Sequence, residues 1–303
     1  MRLLSALVGL SLIWGLSFVF IENLIGPAGV WGTVFLRCLA GAVILTPLFI
    51  IKMKQINSPL PWKSLITLGV VNAALPWGLI ALSQTEITSN TAAVLNASTP
   101  IMTGLIGFFI FSVILRKKQW AGIILGFIGI LILMNFDVAA LFSEDFIGIG
   151  TMVLATACYG FGSQFTKRYL KGFNIVILTT ISLYIGAAAG AVLTAVSRPG
   201  FYGTILSSVD MNLVISLIGL GCFGSGIAHL LLYYLINNGG PEYASTVTYL
   251  VPVSALFWGS FLLDEPVTKN LVAGLLIIFT GVFLASQNIK FFKKPFLMLE
   301  RRG

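Results

Sequence analysis

The chain has 303 residues, of which 57% are hydrophobic and only 9% charged, with a formal net charge of +8. That balance excludes a soluble domain, which needs a polar face on nearly every element. It calls for lipid as the solvent of most side chains.

Windows of about 20 apolar residues, the length that crosses a bilayer as helix, predict ten spans at 3–22, 30–51, 64–83, 91–112, 119–135, 147–166, 174–196, 212–236, 243–263 and 270–287. The first begins like a signal peptide, with one Arg ahead of an apolar run. Its aromatic-rich continuation lacks the small-residue cleavage site, so it is read as a span. Trp14 lies inside it and Glu22 near its outer end. The second span, FLRCLAGAVIL at 35–45, carries Arg37 about a third of the way in. A cation at a helix centre costs about 2.5–3.5 kcal/mol, and this one is too deep to snorkel freely. Two readings remain open: Arg37 hydrogen-bonds helix-end carbonyls or Glu22 and locks the first half together, or it meets a substrate carboxylate in a wet cavity.

Trp77 falls inside the third span, with Glu86 at its outer end. Indole N–H groups at depth need partners, so Trp14 and Trp77 read either as core or as walls of a cavity for an amphipathic ligand. In the fourth span Asn96, Ser98 and Thr99 precede Pro100, and in the ninth Thr246, Thr248 and Tyr249 precede Pro252. A proline within a span frees a carbonyl one turn earlier, tolerated only where protein or a cavity satisfies it. The two prolines are hinge candidates, and the polar residues before them either line a pocket or bond across helices. Tyr159 in the sixth span and His229, the only histidine, in the eighth complete the candidate substrate-contacting set: Trp14, Arg37, Trp77, Asn96, Ser98, Tyr159, His229 and Tyr249. His229 also reads as a hydrogen-bonded packing residue. GLGCFG at 219–224 spells G-x-G-x-x-G without a strand-turn context, and GAAAG at 186–190 repeats small residues; both read as close helix packing.

AGIILGFIG at 121–129 matches AGLLIIFTG at 273–281, an offset of 152 residues that also pairs Pro100 with Pro252 and Gly107 with Gly259. The expected fold is therefore an all-α integral membrane protein of ten transmembrane helices in two five-helix repeats. An odd-numbered unit forces the second copy to enter from the opposite face, so the repeats are inverted. The first repeat is placed at 1–136, an outer connecting loop at 137–146, the second repeat at 147–289 and a basic cytoplasmic tail at 290–303. With the N-terminus inside, 15 of the 18 Lys and Arg residues fall on the cytoplasmic side and only Arg198 and Lys269 outside, so both termini are expected in the cytoplasm.

The three cysteines, Cys38, Cys158 and Cys222, lie in separate apolar spans and suit neither disulfides nor a metal. No H-E-x-x-H or P-loop occurs, and no carboxylate sits at a span centre, so neither an enzyme nor an ATP-driven pump finds its parts. No cofactor is expected. The partners expected are a small-molecule substrate and the lipid bilayer, with no nucleic acid.

In order and spacing, several fragments resemble the drug/metabolite transporter superfamily, specifically its EamA-type ten-helix family. They are I-W-G-L-S-F at 13–18, F-L-R at 35–37, A-L-S at 81–83, T-S-N-T-A-A…P between Thr88 and Pro100, Y-Y-L at 233–235 and L-L-D-E-P at 262–266. The resemblance covers about 3–287. It implies a basket-shaped carrier exporting amino acids, related metabolites or toxic compounds across a bacterial cytoplasmic membrane. By position Arg37 is the family's basic residue of the second helix and Glu265 its acid after the ninth. The matching place in the first half reads S-V-I-L-R-K-K, without an acid. The expected function is secondary-active or facilitated export by alternating access; the alternative is a non-transporting scaffold or receptor.

Overall fold

A computed structural model describes residues 3–55, 59–133, 144–207, 209–239 and 244–285. Lipid leaves backbone groups no water to bond, so a spanning chain must satisfy them within each segment. The described residues accordingly contain helix and no strand. The expected connecting loop, apart from its last residues, and the basic tail lie outside them.

In chain order the helices are α1 (Leu3–Met53), α2 (Trp62–Gly69), α3 (Leu75–Ser83), α4 (Ser89–Asn96), α5 (Thr99–Phe111), α6 (Lys117–Leu133), α7 (Glu144–Tyr169), α8 (Ile175–Ser197), α9 (Phe201–Ser207), α10 (Met211–Leu217), α11 (Ala228–Gly239), α12 (Val247–Leu262) and α13 (Lys269–Ala285). Five stretches are long and apolar enough to cross a membrane, or six if the broken pair α4 and α5 counts as one. That is fewer than the ten spans read from hydropathy, for identifiable reasons. The first two expected spans are the two helical arms of α1, a stretch of 51 residues kinked at Gly29 and therefore counted once. Its break is confined to Gly29, at φ 71° and ψ 174°, a conformation that a side chain would strain. Helices α6, α12 and α13 have 17, 16 and 17 residues, about 25 Å of helix at 1.5 Å per residue.

Two wide turns interrupt what would otherwise be single helices. Val70–Ala74 between α2 and α3, and Ile218–Ile227 between α10 and α11, are π-helical. Such insertions bend a helix and displace side chains from the regular face, and they recur at functional sites. GLGCFG lies in the second of them, and there its glycines do pack closely: an added carbon at Gly219 would meet Phe20, at Gly221 Ala40 and at Gly224 Ser17. GAAAG behaves likewise, with Gly190 against the Phe35 backbone and Gly186 against Cys38.

Helices α6 and α13 meet through glycines that permit backbone contact. A Cβ at Gly129 would lie 3.0 Å from the Gly274 carbonyl oxygen, and one at Gly274 would lie 2.9 Å from that of Gly129. Gly122 and Gly281 stand in the same relation further along. The lower number of one helix meets the higher of the other, so the pair is antiparallel. At an offset of 152, Gly122 corresponds to Gly274 and Gly129 to Gly281. Each contact is thus the mirror of the other, the reciprocity of a two-fold interface.

A second pair of contacts has the same logic. A carbon on Gly15 in α1 would strike Ser254 and Ala255 of α12, and one on Gly160 in α7 would strike Met102 and Thr103 of α5. At the same offset Met102 and Thr103 correspond to Ser254 and Ala255.

Candidate functional site

The residues before Gly15 and Gly160 are Trp14 and Tyr159, and both face a cavity of about 340 Å³ enclosed by α1, α3, α4, α5, α7, α8, α11, α12 and the two π-helical turns. That is the lower part of the range for small-molecule sites, about 300–1,000 Å³. Its walls are apolar with a few converging polar groups. Asn72 comes from the first π turn, Asn96 and Thr99 from the break between α4 and α5, and Thr179 and Ser182 from α8. Thr248 and Pro252 come from α12.

Arg37 is the one permanently charged side chain on the wall. It is 7% exposed, and its guanidinium carbon sits 3.7 Å from the Trp77 ring centre, a cation–π stack strengthened by desolvation. Nε and Nη2 each donate to Ser225 Oγ at 3.3 Å, and the Ser225 hydroxyl donates onward to the Leu220 carbonyl at 3.0 Å. The close approach of Gly41 to the π turn makes this possible, since a carbon there would lie 2.8 Å from Ser225 Cβ. The partner is thus neither Glu22 nor a helix-end carbonyl, as one reading of the sequence expected, but a serine hidden in a glycine-rich run. A guanidinium has five N–H donors. Two are used, so among the described residues three are left without a protein partner on a side chain that lines the cavity. No carboxylate lines the cavity among the described residues.

The buried Trp14 indole finds the partner its N–H requires. Trp14 Nε1 donates to the Gly224 carbonyl at 3.2 Å, and the Trp77 ring takes the Arg37 guanidinium on its face. His229 Nδ1 is 2.9 Å from the Ser225 carbonyl, and its ring stands edge-on to Trp14, with centroids 6.0 Å apart.

Of the eight candidate contact residues, the structure brings six to one wall: Trp14, Arg37, Trp77, Asn96, Tyr159 and His229. Ser98 and Tyr249 are elsewhere. Ser98 is buried and donates to the Leu95 carbonyl at 2.7 Å, and Tyr249 packs edge-on against Phe279. Helical phase explains both: adjacent residues diverge by about 100°, so Thr99 shares the face of Asn96 while Ser98 does not, and Thr248 displaces Tyr249. Pro100 stands at the start of α5, beyond a 45° bend from α4, whereas Pro252 is inside α12 and on the cavity wall. Sequence reasoning missed Asn72, Thr179, Ser182 and Ser225. For Asn72 a signal existed, an amide in an apolar span four residues before Pro76.

Glu265 does structural work across the chain. Its two oxygens accept from the Ser89 and Asn90 N–H groups at 2.8 Å each, placing a carboxylate on the α4 N-terminus, where the helix dipole favours it. Thr88 Oγ1 caps the same end by accepting from Thr91 N.

A family model described as the EamA-like transporter family matches residues 1–135 and again 146–287. The chain is similar to the uncharacterized inner membrane transporter YedA of Escherichia coli, 28% identical over 303 residues that cover 97% of this chain and 94% of that one. It is also 24% identical over 291 residues to the uncharacterized transporter YoaV of Bacillus subtilis, covering 93% and 96%. A solved crystal structure shares the fold at a TM-score of 0.63 and 15% identity, over 95% of this chain and 99% of that one. With the family matched over nearly its whole length, the chain belongs to the EamA-like transporter family.

Proposed function

We propose that this membrane protein is a secondary-active or facilitative carrier that exports a small amphipathic solute bearing a carboxylate, such as an amino acid, by alternating access. The observation that carries the reading is the cavity itself: one unneutralised guanidinium with three spare donors, stacked on an indole, among apolar and aromatic walls. A carboxylate supplies the missing counter-charge through charge-assisted hydrogen bonds, and Trp14, Tyr159 and Trp77 suit an apolar body.

Ten crossings follow if the two arms of α1 count separately, α4 with α5 forms one broken span, and the shorter α6, α12 and α13 each cross with little tilt. The paired glycine contacts and the doubled family match support two inverted halves, at 1–136 and 147–289, around a central site. Rocking of one half on the other about the breaks near Pro100 and Pro252 would open the cavity to either face in turn. The distribution of basic residues supports a cytoplasmic position for both termini.

Counterflow in proteoliposomes loaded with a panel of amino acids, other carboxylates and cationic drugs tests the reading. Exchange of carboxylate-bearing solutes is expected. Folded protein that exchanged nothing would leave the scaffold or receptor alternative.

A further inference from the structure

One helical turn beyond the cavity, on the side where α1 reaches Gly29, a second polar cluster stands apart from the substrate-sized space. Ile80 lines the cavity; Gln84, one turn on, donates through Nε2 to the Phe18 carbonyl at 2.9 Å. Glu22 stands one helical turn beyond Phe18 on α1, on the same side as the carbonyl that Gln84 holds. The Asn90 amide and the Glu265 carboxylate face the same point, since a carbon on Gly259 would touch Asn90 Oδ1 and lie 3.1 Å from Glu265 Oε2.

Buried polar atoms are paired in native proteins, and each exception needs a cause. Among the described residues the unpartnered buried side-chain atoms are Glu22 Oε2, Gln84 Oε1, Ser89 Oγ, and Asn90 Oδ1 and Nδ2. All five belong to this cluster, and Gln84, Ser89 and Asn90 are 4%, 1% and 1% exposed. Four of the five are oxygens, and neither carboxylate is ion-paired among the described residues. Unpaired acceptors at such depth are destabilising unless something electropositive sits among them.

We propose that Glu22, Gln84, Ser89 and Asn90, closed on one side by Glu265, form a sodium site. Oxygen-only donors select a hard cation over a transition metal, and no group of three or more His, Cys, Asp or Glu gathers among the described residues. The charge favours a monovalent ion. Glu265 already offsets the α4 N-terminus through both its oxygens, which leaves Glu22 as the one uncommitted negative charge. The site joins α1, the end of α3, the start of α4 and the loop between α12 and α13. A bound cation would therefore tie elements of both halves together one turn from the cargo. As a coupling ion it rests on the carrier reading; as a binding site it does not.

The test uses the full-length protein in detergent, with NaCl exchanged for choline chloride at constant ionic strength and thermal unfolding as readout. Sodium is expected to raise the melting temperature saturably. In Glu22→Gln and Ser89→Ala, whose own basal melting temperatures serve as reference, the sodium midpoint is expected to weaken, by about tenfold or more for Glu22→Gln. No sodium-specific increment in the wild type, an unchanged midpoint in both variants, or saturation by calcium in place of sodium would overturn the assignment. Because no flux is measured, the result stands apart from the counterflow experiment.

Discussion

Replacing Arg37 with glutamine removes the cavity's positive charge while keeping an amide that can still bond Ser225. If the guanidinium meets a substrate carboxylate, the variant loses hydrogen bonds to a charged group, worth about 1.5–3 kcal/mol. At 1.36 kcal/mol per decade, that is roughly ten- to hundredfold in apparent affinity. Lysine restores the charge but not the planar fork that grips Ser225 or the stack at 3.7 Å on Trp77. Its loss is expected to be smaller, on the order of the 0.5–2 kcal/mol of a buried cation–π contact. The assay is counterflow with an anionic and a matched neutral solute, after size-exclusion chromatography shows both variants folded. The order wild type, Lys, Gln for the anionic solute, with little change for the neutral one, is the expected result. Equal loss for both solutes, or unfolding of both variants, would refute the counter-charge argument and leave Arg37 as a brace between α1 and the second π turn.

Other consequences can be measured directly. Gly129→Val and Gly274→Val force side chains into facing carbonyls about 3 Å away and are expected to cost about 1–3 kcal/mol or more each, read as a lower melting temperature in detergent. Gly150→Ala, whose added carbon meets nothing within 4 Å, is expected to be neutral or slightly stabilising. Glu265→Gln weakens the carboxylate cap on α4 and is expected to lower stability by about 0.5–2 kcal/mol, whereas Asp264→Asn, at an exposed left-handed position, changes little.

The sequence carried the membrane class, the 152-residue offset and six of the residues that share the cavity wall, because each rests on a property that survives without coordinates. Arg37, Trp14, Trp77 and His229 are costly residues in apolar runs, and cost is visible in one dimension. Ser225 was not visible, since a small hydroxyl among glycines costs little and says nothing about which helix faces it. The place where the first two helices meet was legible in Gly26-Pro27-Ala28-Gly29, which has the composition of a loop, but not that the whole kink is taken up at Gly29 alone. Ser98 and Tyr249 failed for want of helical phase. The cluster around Asn90 was illegible because its members are separated in sequence and meet only through packing, although Glu22 and Glu265 each stood out singly.

The arrangement of two antiparallel halves is tested most directly by the sidedness of two matched loops. Single cysteines at Ile114, which is 89% exposed, and at Val267 in the corresponding loop of the second half would be introduced after the three native cysteines are replaced. A membrane-impermeant maleimide applied to intact cells should label Val267→Cys and spare Ile114→Cys until the membrane is opened. Labelling of both from the same face would contradict the inverted arrangement.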